Sequence, residues 1–158
     1  MKVTIREARL EDLRAMVPLW QQLMDFHEDL EGTYNLVDDA VERWTKYIGP
    51  KFDDEDWYIL VAELGGKLVG SPAVIVQDYP PVFIATKHGF VETISVDDAH
   101  RGKGIGKQLV EAAEVWLRSR GVPEVTVRID ERNPASKALF DSAGFEPFVV
   151  VRRKKIKE

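Results

Sequence analysis

The chain contains no cysteine. That excludes a disulfide framework, a thiolate zinc site and a cysteine nucleophile together. No apolar run is long enough to cross a bilayer, so no membrane partner is expected. The opening MKVTIREARLEDL is charged early and carries no apolar signal core, which predicts a cytoplasmic location. Positive charge is also in deficit. The formal net charge is −5, which argues against general nucleic-acid binding. No metal is expected.

What is present describes one globular domain over residues 1–158, large enough to bury a core. Hydrophobic residues make up 44% of it and charged residues 31%, the balance of an ordinary globular fold. Val3 to Glu7 alternates as a strand does. Leu13, Val17, Trp20, Met24 and His27 then recur at spacings of three and four, one stripe of a helix. Pro18 should kink or divide that helix, and Gly32 should stop it. Asp38 or Asp39 caps a second predicted helix through Ile48. Trp57 to Leu64 and Leu68 to Val76 read as strands of a hairpin turning at Gly65-Gly66. Gly89 to Val96 is a further strand, with Phe90, Glu92, Ile94 and Val96 on one face. A helix from about Gly104 to Arg120 follows, ended by Gly121-Val122-Pro123. Val125 to Ile129 is a strand, and Asn133-Pro134 opens a short helix that Gly144 ends. Phe145 to Ile156 should supply one or two last strands. The order predicts an α/β fold: a mixed, mostly antiparallel sheet with helices packed on it, and one parallel crossover.

Between the strand ending at Val96 and the next helix lies HRGKGIGKQL, residues 100–109. Glycine lets a backbone approach an anion and adopt positive φ. The start of a helix offers unpaired N–H groups and a positive dipole end. Arg101, Lys103 and Lys107 add charge. The loop therefore suits phosphate. A Walker loop needs a different glycine spacing followed by Lys-Ser/Thr. The dinucleotide fingerprint needs G-x-G-x-x-G and an acidic residue further on. Neither is met.

Arg101-Gly102-Lys103-Gly104-Ile105-Gly106 instead resembles the R/Q-x-x-G-x-G/A motif of the GNAT superfamily of N-acetyltransferases. Asn133-Pro134-Ala135-Ser136-Lys137-Ala138-Leu139-Phe140, with Gly144-Phe145, resembles that family's second signature, N-x-x-A/S-x-x-L-Y-x-x-x-G-F. Ile5-Arg6-Glu7-Ala8 with Asp12 resembles its usual opening. The resemblance implies the acyl-CoA N-acyltransferase fold and acetyl-CoA as cosubstrate. It implies that Arg101, Gly102, Lys103, Gly104, Ile105 and Gly106 hold the pyrophosphate, with Lys107 close by. Ile94 and Val96 would pair with the pantetheine arm through their backbone. The Val96 N–H would stabilise the oxyanion, Asn133 would lie near the pantetheine, and Phe140 would border the cofactor. A homodimer, formed through the C-terminal strands, is a further expectation.

The implied reaction moves an acetyl group to a primary amine, on a small molecule or a peptide, by direct attack on the thioester. An alkylammonium, with a pKa near ~10, must first lose a proton. Glu92 is the candidate base, expected to be buried beside the cleft on the face of Ile94 and Val96. His27 and His88 are alternatives. Phe140 departs from the family, whose tyrosine there protonates the leaving sulfur. Water, or Tyr34, Tyr58 or Tyr79 brought near by folding, could take that role. The same departure leaves open a catalytically idle acyl-CoA-binding module. The acceptor is expected to meet residues 20–36 and 77–89. The first segment carries Asp25, Glu28, Asp29 and Glu31, which suggests a cationic acceptor.

Overall fold

The computed structural model describes residues 2–30 and 35–156. Gly32, Glu31 and Tyr34 therefore lie outside the described residues. Among the described residues five strands form one sheet in the order β1-β2-β3-β4-β5. They are β1 (Thr4–Glu7), β2 (Trp57–Leu64), β3 (Lys67–Asp78), β4 (Lys87–Val96) and β5 (Val125–Val127). The first four pair antiparallel, and β5 runs parallel to β4. The β2–β3 turn places Gly65 and Gly66 at φ 58° and 79°, the left-handed pair that a two-residue hairpin requires.

Among the described residues four α-helices flank the sheet: α1 (Leu13–Leu30), α2 (Ala40–Ile48), α3 (Ile105–Ser119) and α4 (Pro134–Ser142). Pro18 neither ends nor divides α1. It lies on the solvent side, while Met16 and Leu19, 4% and 3% exposed, press the helix onto the sheet. Arg6 joins β1 to the start of α1 by a bidentate pair with Asp12, at 2.8 and 2.9 Å.

The strands' alternation divides the core between two faces. Leu60, Ala62, Val74 and Val91 point toward α3 and its Leu109, Ala113 and Leu117. Ile59, Val61, Leu68 and Ala73 point the other way, toward α1 and Ile48 of α2. Each such leucine or isoleucine contributes roughly 1.5–3 kcal/mol by leaving water. The α3 helix lies close on the sheet because Gly70 and Gly89 have no side chain. A Cβ on Gly70 would stand 2.9 Å from Leu109 Cδ1, and one on Gly89 would stand 2.8 Å from Leu117 Cδ2.

The expected C-terminal strands do not form. Beyond Gly144 no strand occurs among the described residues. Phe148 and Val149 to Val151 are between 72% and 79% exposed. The segment has a strand's composition, but no strand among the described residues pairs with it.

Candidate active site

β4 meets β5 over only three residues, Gly89 to Val91 against Val125 to Val127. From Glu92 to Val96 that edge of β4 has no strand partner among the described residues. The other edge is paired with β3, and the Asp97 N–H continues it by donating to Val69 O at 2.9 Å. Alternation along the strand therefore turns the N–H groups of Val96 and Ile94 toward the open edge. Arg101 agrees: its Nε donates to Val96 O, on that same side, at 3.1 Å.

The open edge runs straight into the glycine loop. Gly102 and Gly104 hold φ 73° and 78°, which a residue with a Cβ adopts only with strain. Gly104 is the N-cap of α3, so the N–H groups of the first turn, Ile105 to Lys107, face out of the helix end. Lys103 Nζ donates to Ala99 O at 3.1 Å, and Arg101 pairs with Asp98 at 2.9 Å. Gly106 has a packing duty as well. A Cβ there would stand 3.1 Å from Leu139 of α4.

A buried clasp fixes the start of the loop. Asp97, 7% exposed, accepts from Gln22 Nε2 of α1 at 3.0 Å and faces His100 Nδ1 at 2.6 Å. The Asp98 N–H donates to Gln22 Oε1 at 3.0 Å. These hydrogen bonds, Gln22's first and then that of His100, hold the Asp97 carboxyl below its ordinary 3.8.

Glu92 is placed by a β-bulge. Ala73 pairs with Thr93 and Val74 with Val91, so Glu92 is an extra residue opposite none. The insertion shifts the alternation by one. Val91 and, after the bulge, Ile94 and Val96 pack toward α3. Glu92, Thr93 and Ser95 line a cavity on the opposite side. The expectation that Glu92 shares a face with Ile94 and Val96 is thus corrected. So is its burial: the side chain is exposed at the cavity.

The cavity has a volume of about 200 Å³. Helix α1 supplies Met16, Trp20, Leu23 and Met24, and α2 supplies Trp44 and Tyr47. Trp20 and Trp44 stack at 4.9 Å with 14° between their planes. Burial, then the charge of Glu92, pushes the Tyr47 phenol above its ordinary 10.0, so it remains a proton donor. Sequence reasoning passed over Trp44 and Tyr47. Their signal was the i, i+3, i+4 spacing of Trp44, Tyr47 and Ile48 on one helix face. The loop between β3 and β4, expected to shape the acceptor site, does not line this cavity, and neither do Asp25, Glu28 and Asp29, which lie exposed on α1.

Other predicted residues take different places. Phe140 is 1% exposed, with its ring edge on Phe145 at 5.0 Å, and packs in the core under α3. Its position offers packing, and little surface for a cofactor. Asn133 caps α4, its Oδ1 accepting from Ser136 N at 3.0 Å. His88 stacks on Tyr79, and the Tyr79 hydroxyl donates to Glu124 at 2.6 Å. His27 Nδ1 lies 2.7 Å from Leu23 O in its own helix. Tyr58 lies flat on Trp116, 4.7 Å away on the α3 side of the sheet. None of these six lines the cavity.

A strand edge opening onto a left-handed glycine loop and a helix N-terminus now stands beside a matching family model. The acetyltransferase (GNAT) family model covers residues 18–145. The chain belongs to that family. An uncharacterized N-acetyltransferase of Bacillus subtilis is 24% identical over 149 residues, 91% of this chain and 90% of that protein. A mycothiol acetyltransferase of Thermobispora bispora is 40% identical over 62 residues, 39% of this chain and 21% of that protein. The chain thus spans about a fifth of that relative's length. The structure of AAC(6')-Iy, in complex with the bisubstrate analog CoA-S-monomethyl-acetylneamine, superposes with TM-score 0.75 at 23% identity. That superposition covers 99% of this GNAT chain and all of the other, and so establishes the fold.

Proposed function

We propose that this GNAT protein transfers an acetyl group from acetyl-CoA to a primary amine. One observation carries the reading. The open edge of β4 leads at one end to the glycine loop at the N-terminus of α3 and, across the strand, to a cavity lined by a single carboxylate.

The residues fit a CoA thioester. The first-turn N–H groups of α3, with Arg101, Lys103 and Lys107 around them, suit a pyrophosphate. The outward N–H groups of Ile94 and Val96 suit an extended amide-bearing arm, as an added strand would. Glu92 accepts the proton of the acceptor ammonium, directly or through one water. The freed lone pair attacks the thioester carbon. The Val96 N–H meets the oxygen on which charge builds, a contact of the kind worth roughly 3–4 kcal/mol in the transition state. The C–S bond breaks as the amide forms, and the second proton of the attacking nitrogen passes to water or to the departing thiolate. A thiol pKa of about 8.5 lets the sulfur leave as thiolate near neutrality, so the absence of a tyrosine at position 140 does not stop the reaction. Tyr47, whose phenol feels the charge of Glu92, is a proton donor that the cavity offers.

The same reading includes a homodimer. Residues 148–151 form an exposed run of Phe and Val with high strand propensity and no partner strand among the described residues. A second copy would supply that partner.

The test is thiol release from acetyl-CoA in the presence of amines, with CoA-induced melting shifts in parallel. Amine-dependent release supports the transferase. A melting shift with no release for any amine would leave a CoA-binding module instead.

A further inference from the structure

The cavity beside Glu92 differs from the acidic acceptor site that the sequence suggested, and its chemistry narrows the acceptor. This step rests on the transferase reading. Four of its walls are Trp20, Leu23, Met24 and Trp44. Its polar groups are few, and two of them are already committed. Ser71 Oγ donates to Leu60 O at 2.8 Å, and Ser95 Oγ donates to Ser71 O at 3.2 Å. Glu92, Thr93 and the Tyr47 hydroxyl remain for a ligand.

We infer that the acceptor is a singly charged primary amine on a short chain bearing an apolar, ring-sized body, of the size and kind of phenethylamine. The ammonium meets Glu92, and the ring lies against Trp20, Trp44 and Met24. Three observations select against other amines. A polyhydroxylated aminosugar would bury hydroxyls against Trp, Leu and Met, where nothing pairs with them. A polyamine would press a second ammonium against the same walls, because Asp25, Glu28 and Asp29 stand exposed outside the cavity. The volume of about 200 Å³ accommodates one ring more readily than a chain of sugars, since ligand pockets usually run to ~300–1,000 Å³.

The experiment compares kcat/KM for phenethylamine, spermidine and kanamycin by thiol release from acetyl-CoA. It adds binding of each amine without acetyl-CoA, followed by tryptophan fluorescence. Phenethylamine should exceed both others at least tenfold in kcat/KM and alone should perturb the tryptophans at low concentration. Trp44→Ala should raise the phenethylamine KM at least tenfold while the CoA melting shift stays. Should Trp44→Ala fold poorly, Met24→Asp serves: a second carboxylate should shift preference toward spermidine. Better turnover of spermidine or kanamycin would overturn the inference, as would an unchanged KM in Trp44→Ala. If no amine is acetylated yet phenethylamine binds more tightly than spermidine and kanamycin, the cavity assignment stands and the transferase reading falls. Absence of both transfer and selective binding overturns the inference.

Discussion

Glu92 stands where the β-bulge turns it toward the cavity, and the proposed reaction makes its carboxylate the proton acceptor. Glu92→Gln keeps the shape and removes the basicity. Initial-rate measurements should show kcat lowered about 10²-fold or more, the usual range for a general base, with the acetyl-CoA KM little changed. Asp97 makes a different prediction. Its folded pKa lies below its unfolded value near 3.8, so the stability it contributes is complete above that value. That stability is lost as pH falls from about 5 through the lowered folded pKa. Urea unfolding should therefore weaken more steeply toward acid pH in the wild type than in Asp97→Asn. Phe140 is a third case. Its ring is a core group, so Phe140→Ala should cost about 3–5 kcal/mol in unfolding free energy. At this scale the sequence made residue types legible, but not their direction. A period of two puts Glu92 with Ile94 and Val96. The bulge reverses that, and nothing in VETISV announces an unpaired residue.

Elements carried a stronger signal. The glycine loop stood out because three glycines and three cations fall between a strand pattern and a helix pattern, and the structure places it there. The Asn133-Pro134 pair opens α4 as its chemistry requires, with the side-chain cap formed. Asn133→Ala should cost ~0.5–2 kcal/mol in unfolding free energy, measured in urea. The same motif resemblance singled out Gly106, yet close packing of α3 on α4 could not be read from it, since the Leu139 contact is tertiary. Helix α2 shows the same limit. Its aromatic spacing was visible, but only packing against α1 makes Trp44 and Tyr47 the wall of a cavity. Residues 145–156 mark the opposite case. They have strand composition, and a strand is defined by a partner, which no strand among the described residues provides.

For the whole molecule, a mixed sheet with helices packed on it was readable from element order, whereas the division of those helices between its two faces came only from the packing. The exposed Phe148 to Val151 run then bears on assembly. Sedimentation should give a species of twice the 18.0 kDa chain mass, and Val150→Lys should return it to a monomer. A monomeric wild type would contradict the proposed dimer.

The claim that joins residue, element and molecule is that CoA lies along the open edge of β4 with its phosphates on the start of α3. Titration of CoA into ¹⁵N-labelled protein, followed by amide chemical shifts, tests it most directly. The account predicts that the amides of Ile94, Val96 and Gly104 to Lys107 move first and furthest. Saturable shifts elsewhere, with these amides unmoved, would contradict it.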